Sequence, residues 1–220
     1  MLNLNRFKMM DEVILSTAWL GPIEYFAWIA QSEKAMVEHS ESYVRQTYRN
    51  RCVIATANGK QELSVAIVKS RKNHVPIREA IISYDNCWNV LHWRTIESAY
   101  NNSPFFLYYR DALEPFFTRP FRYLTDLNAE LLATVLAILK IKTQLEYTNV
   151  YLKEYAGIPD LRYTIIPEKT ATRIPSVAMP GYTQVFEEKI GFIPNLSILD
   201  LIFNKGPEAN DYLLKCTLSK

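Results

Sequence analysis

The chain predicts an α/β fold: a mixed sheet with an N-terminal βαβ unit and a hairpin, then a helical subdomain, then a loop-rich C-terminal region ending in helices. Three observations carry that expectation. The apolar runs EVILSTA at 12–18 and AMVEHS at 35–40 lack helical period and bracket an amphipathic segment, the order of a strand, a helix and a second strand. RCVIATA and KQELSVAIV flank Asn58-Gly59, a strong short-range hairpin signal. From Trp88 to about Thr143 the apolar residues recur at helical spacing.

Taken in order, the first strand stops at Gly21-Pro22, with Pro22 placed where a first helical turn tolerates it. In GPIEYFAWIAQS, Ile23, Phe26, Ala27 and Ala30 then share one face. After the hairpin and the polar loop KSRKNHVPIR, the run EAIISY at 79–84 predicts another strand. WNVLHWRTIESAYNN predicts one helix, Pro104 opens a second through about Phe117, and LTDLNAELLATVLAILKIK predicts a third that ends in lysines. Beyond it, prolines 159, 167, 175, 180 and 194 mark a loop-rich stretch with short strands such as LRYTII. NLSILDLIFN, stopped at Gly206-Pro207, and a last segment to about Leu214 close the chain as helices. One domain over 1–220 is expected, sheet-rich at 1–86, helical at 87–143, and loop-rich then helical at 144–220.

At 220 residues and 49% hydrophobic, the chain is long enough to bury a core. Its 25 basic and 23 acidic residues leave a net charge of +2, which gives no broad reason to bind nucleic acid, so any basic site is local. Cys52, Cys87 and Cys216 are odd in number and form no CxxC pair, which points away from a disulfide framework or structural zinc and towards a reducing cytoplasm. Asp11 and Glu12 interrupt the basic N-terminus, and no small-residue cleavage site follows. LLATVLAILKI falls short of the roughly 20 residues that a membrane span needs. No spacing specifies a metal, and no motif names a cofactor.

Four groups of residues can carry chemistry. Glu38-His39 ends the second strand, where a histidine beside a carboxylate can serve as a base. Arg49 and Arg51 would share one face of a strand, converging on a carboxylate or phosphate, with Asn50 on the other face; an edge strand guarded by cations is the competing reading. His92 lies in the first predicted helix of the aromatic region, whose CWNVLHW and PFFLYY read as core packing. Ser197, Asp200 and Asn204 form a polar helical stripe that by default faces water. The Gly21-Pro22 turn offers a helix N-terminus to an anion, but without a glycine fingerprint it reads as an ordinary strand-to-helix turn.

LGPIEYFAWI, TYRNRCVI, HWRTIESAYNNSPFF and FIPNLSILDLIFNKGPEA, spread over most of the chain, resemble the WbqC-like family of bacterial proteins associated with O-antigen and other surface-polysaccharide loci. Where many relatives have Gln-Pro, an aspartate-rich second strand end and a Trp before the Arg-Asn-Arg core, this chain has Thr17-Ala18, Glu38-His39 and Tyr48. An acidic or metal-binding role at the second strand is therefore not carried over. The resemblance itself implies an association with surface-polysaccharide loci, and an enzyme of polysaccharide biosynthesis is the leading expectation drawn from it. We extend it to transfer of an acyl or aminoacyl group to an amino sugar, with a small anionic substrate such as a nucleotide sugar or activated acyl donor. Arg49, Asn50, Arg51, His92, Asp200 and Asn204 are the expected binding residues, and His39 and Glu38 the catalytic ones. The rival expectation is a non-catalytic scaffold of an envelope pathway using helices 88–117.

Overall fold

The computed structural model describes residues 10–70, 74–167 and 177–218. Strand β1 (Met10–Ser16), helix α1 (Ile23–Ala30) and strand β2 (Ser32–Glu38) form the βαβ unit, with β1 parallel to β2 and Val13 opposite Ala35. Val13, Ile14 and Leu15 are all fully buried, because a parallel sheet is covered on both faces. Every residue of α1 is buried. A helix apolar nearly all round belongs in the middle of a molecule, and α1 lies against the sheet and the C-terminal helices.

The hairpin follows as β3 (Arg51–Thr56) and β4 (Gly59–Ser64), with Gly59 at φ 104°, a conformation that suits glycine at the turn. It forms its own two-stranded ladder, separate from the parallel sheet. The expected strand at 79–84 is not regular. Its start is a 3₁₀ turn (Ile77–Glu79) after Pro76, and Ile81 and Ile82 make only isolated bridges, to Tyr123 and Ile67. With its backbone shared between two neighbours, the segment completes no ladder with either.

Helices α2 (Trp88–Tyr100), α3 (Phe106–Leu113), α4 (Pro115–Thr118) and α5 (Leu124–Leu139) make the helical region. The single helix expected to reach Phe117 is two, because Pro115 has no N–H to continue α3 and instead starts α4. Trp88, Trp93, Phe106 and Phe117 are buried, so most of this aromatic content is core. Glu97 pairs with Arg110 at 3.0 Å rather than with its helical neighbour Arg94. Lys140 ends α5 in a left-handed conformation, and β5 (Gln144–Tyr147) then joins the sheet parallel to β2, giving the order β1-β2-β5. On the far side of β1, Ile14 exchanges backbone bonds with Pro159 and Leu161. LRYTII, expected as a strand, is a run of turns whose side chains serve the sheet edge.

The chain closes with β6 (Val177–Ala178), α6 (Glu187–Ile190), α7 (Ile198–Lys205), α8 (Ala209–Lys215) and β7 (Thr217–Leu218), the two short strands pairing antiparallel. Gly206 ends α7 at φ 51°; a Cβ there would lie 2.5 Å from the Phe105 ring, so only glycine fits. Among the described residues no helix is long and apolar enough to cross a membrane.

Candidate functional site

The carboxyl ends of the parallel strands bring together Glu38, His39, Tyr147 and Thr148, and the turn at 160–163 adds Asp160, Arg162 and Tyr163. Glu38, the last residue of β2, is fully buried. One of its oxygens accepts from Arg162 Nη1 at 2.9 Å, and the other from Ser40 N at 2.7 Å and from Thr148 Oγ1. Arg162 spends all five of its N–H donors inside the protein. Nε and Nη2 reach the two oxygens of Asp160 at 2.9 and 2.6 Å, Nη1 also reaches the Leu152 carbonyl at 2.9 Å, and Nη2 the Lys153 carbonyl at 3.2 Å. The rings of Tyr151, Tyr155 and Tyr163 surround its guanidinium at 5.2, 4.9 and 5.6 Å.

Arg49 makes a second buried pair. It precedes β3, so it does not follow the strand alternation that would set it beside Arg51. Its Nε and Nη2 donate to the two oxygens of Glu41 at 2.7 and 2.6 Å, a bidentate fork in a fully buried place. Arg51 turns instead to Glu62 across the hairpin at 2.6 Å. The two guanidiniums therefore answer to different carboxylates and do not converge as the strand spacing suggests.

Near the same edge two polar atoms have no partner among the described residues. His39 stacks on Tyr147, ring centroids 4.4 Å apart, and its Nε2 is buried without a hydrogen bond. Burial pushes its pKa below the ordinary imidazole value against the pull of Glu38, so the ring is neutral at pH 7. The Tyr25 hydroxyl, on the first turn of α1, is likewise buried and unpartnered. Burial raises its pKa; the nearby Tyr147 adds to the rise and Arg49 opposes it.

The connection from β2 to β3 divides two cavities. On one side lies a cleft of about 610 Å³, with Tyr43, Arg45, Asn50, Arg51 and Lys69 in its walls. Asn50 donates to the Val65 carbonyl at 2.9 Å and leaves Oδ1 without a partner; Arg51 leaves Nε without one. Burial raises the Tyr43 pKa, and the charges of Arg45 and Arg51 oppose it, which sets both guanidiniums near the phenol. On the other side is a pocket of about 260 Å³ bounded by Ser40, Glu41, Ser42, Val44, Tyr151 and Tyr163. Hydrogen bonds from Tyr43 N to the Val75 carbonyl at 2.7 Å and from Ile77 N to the Glu41 carbonyl at 2.9 Å hold the dividing segment in place.

The remaining expected residues lie apart. His92 packs on Trp19 and Trp88, and its Nε2 meets the backbone of Ser64, a residue of the cleft wall, at 3.0–3.1 Å. Burial lowers its pKa too. The Ser197/Asp200/Asn204 stripe does not face water: Ser197 and Asp200 are buried. Asp200 accepts from Tyr100 at 3.0 Å, from Tyr182, from Gln184 at 3.2 Å and from Asn204 at 3.3 Å. Burial raises its pKa against those donors. Neither Asp200 nor Asn204 lines either cavity. Among the described residues no group of three His, Cys, Asp or Glu could hold a metal. Sequence reasoning missed Arg162, Asp160, Glu41 and Tyr25. The available signal was Asp160 and Arg162 two apart within a tyrosine-rich stretch, 151–163.

A parallel sheet with a polar carboxyl edge and an adjacent cleft lined by basic residues defines an α/β protein. The chain belongs to the WbqC-like protein family, whose model matches residues 18–173. It is similar to a protein of Mycobacterium tuberculosis (strain ATCC 25618 / H37Rv) named "Uncharacterized protein Rv1507c", 29% identical over 220 aligned residues that cover 90% of this chain and 94% of that one. No solved structure matches the chain.

Proposed function

We propose that the chain is a cytoplasmic enzyme of surface-polysaccharide assembly that transfers a small acyl or aminoacyl group to an amino sugar or nucleotide sugar. The observation that carries the reading is the 610 Å³ cleft, whose walls hold Arg45, Arg51 and Lys69 together with Asn50. Cationic side chains lining an open hollow suit a phosphate or carboxylate. Arg51 and Arg45 bind the anionic group, and Asn50, tied to the Val65 carbonyl, fixes the wall beside them. His39, kept neutral by burial, is the proposed base. It lines neither cavity and its Nε2 is buried, so the 38–40 turn opens before that nitrogen takes the proton of the sugar amine. The proton moves as the amine nitrogen bonds to the acyl carbon and the leaving group departs with its electron pair. Glu38 holds the 38–40 turn that presents it. Association with surface-polysaccharide loci, implied by the family, supports the substrate class.

Thermal unfolding of the wild type with nucleotide sugars, acyl-CoAs and aminoacyl adenylate analogues tests the reading through binding linkage. At least one class stabilises the wild type, and Arg51→Ala weakens that ligand by about tenfold or more, as loss of a charge-assisted bond does. A folded Arg51→Ala and Arg45→Ala pair that binds as the wild type does would overturn it.

A further inference from the structure

We infer that the 260 Å³ pocket on the other side of segment 40–46 is a subsite for a single neutral sugar ring. Its size is below the roughly 300–1,000 Å³ of pockets for larger ligands, which limits it to one ring. Two of its walls are tyrosines with much of their surface open: Tyr163 is 53% exposed and Tyr151 41%. They are fixed platforms. Arg162 lies over both rings, Arg49 lies over Tyr163 at 5.8 Å, and the two hydroxyls meet at 3.3 Å. Flat apolar faces with polar ends suit the C–H face of a pyranose.

The remaining lining decides the charge of the occupant. Ser42 brings a hydroxyl that donates and accepts, Ser40, whose hydroxyl donates to the Thr148 carbonyl at 3.3 Å, brings an acceptor, and Glu41 brings a buried carboxylate. That carboxylate is neutralised by the Arg49 fork at 2.6 Å, so it attracts neither an amine nor an anion strongly. Each of its oxygens takes one arginine donor and keeps a lone pair for a sugar hydroxyl. The basic cleft and the neutral pocket thus differ in what they suit: an anionic group in the first, an uncharged polyhydroxylated ring in the second. Sugar binding rests on the pocket alone and not on the function proposed above.

Saturation-transfer NMR with N-acetylglucosamine, glucose and galactose at tens of millimolar, and with glucosamine and glucuronate as charged controls, tests the subsite. The neutral sugars give transfer strongest at their ring C–H protons, and the charged ones bind more weakly. Tyr163→Ala weakens binding by about tenfold, the scale of losing an aromatic anchor. Ser42→Trp, which fills the pocket and leaves the arginine pairs untouched, abolishes the signal and keeps the test decisive if Tyr163→Ala does not fold. Arg51→Ala, which disables the cleft, retains it. No transfer from the wild type to any neutral sugar, or an undiminished signal in Ser42→Trp, overturns the subsite while leaving anion binding in the cleft to stand or fall by its own titration.

Discussion

Arginines stand on both sides of the segment from Ser40 to Gln46, and they differ in how many of their donors the protein consumes. At the sheet edge, Arg162 gives all five N–H groups to Glu38, Asp160 and two carbonyls, and Arg49 forks onto Glu41. In the cleft, Arg51 gives Nη1 to the exposed Glu62 and leaves Nη2 without a partner among the described residues. A saturated, buried guanidinium has nothing left for a ligand and holds strands, turns and tyrosines in place. An unsaturated one at the wall of a hollow is available for binding.

The contrast is tested most strongly at the sheet edge. Arg162→Ala strands Glu38 and Asp160 without their counter-charge, and a loss of about 3–5 kcal/mol in urea unfolding is expected, as for other broken buried pairs. Glu41→Ala leaves the Arg49 guanidinium buried and unpaired, with a cost of about 3 kcal/mol on the same grounds. Smaller losses in both variants would mean that these pairs are wetter than their burial indicates.

A pH effect separates the histidines from the arginines. The folded pKa of His39 lies below its unfolded value, so the unfolded chain takes up the proton first. Its contribution is fully present above about pH 6.5, the unfolded value, and is lost as pH falls from there through the folded pKa. His92 acts in the same direction. Urea unfolding between pH 5 and 8 shows stability rising with pH over this window, and His39→Gln flattens part of the rise. A slope unchanged by that substitution contradicts the burial of His39.

The smallest stability effects are expected in the cleft. Arg51→Ala removes a partly exposed pair with Glu62 and costs about 1 kcal/mol or less. Glu62→Gln costs as little and releases Arg51 Nη1, so anion affinity rises. An affinity that falls in Glu62→Gln breaks the proposed division between structural and binding arginines.

The sequence showed the elements whose signals are local. β-branched runs around Gly21-Pro22 and Asn58-Gly59 mark the βαβ unit and the hairpin, and helical period marks α2 and α5. LRYTII misleads because its apolar residues pack from turns while Arg162 reaches Glu38, 124 positions earlier. The Asp200 stripe misleads similarly: a polar helical face normally meets water, but here Tyr100 and Tyr182 cover it. Asn50 and Arg51 were legible as binding candidates from residue type. That a cavity opens beside them, and that Glu41 claims Arg49, depends on partners that no local pattern carries.

Nucleotide sugars and acyl-CoAs share a pyrophosphate, which makes pyrophosphate the simplest probe of the cleft. Isothermal titration of pyrophosphate into the wild type and into folded Arg51→Ala measures whether Arg51 binds anions in the cleft. Binding to the wild type and a loss of about tenfold or more in the variant, with its fold intact, are expected. Equal affinity in the two proteins, or none in the wild type, would contradict that role.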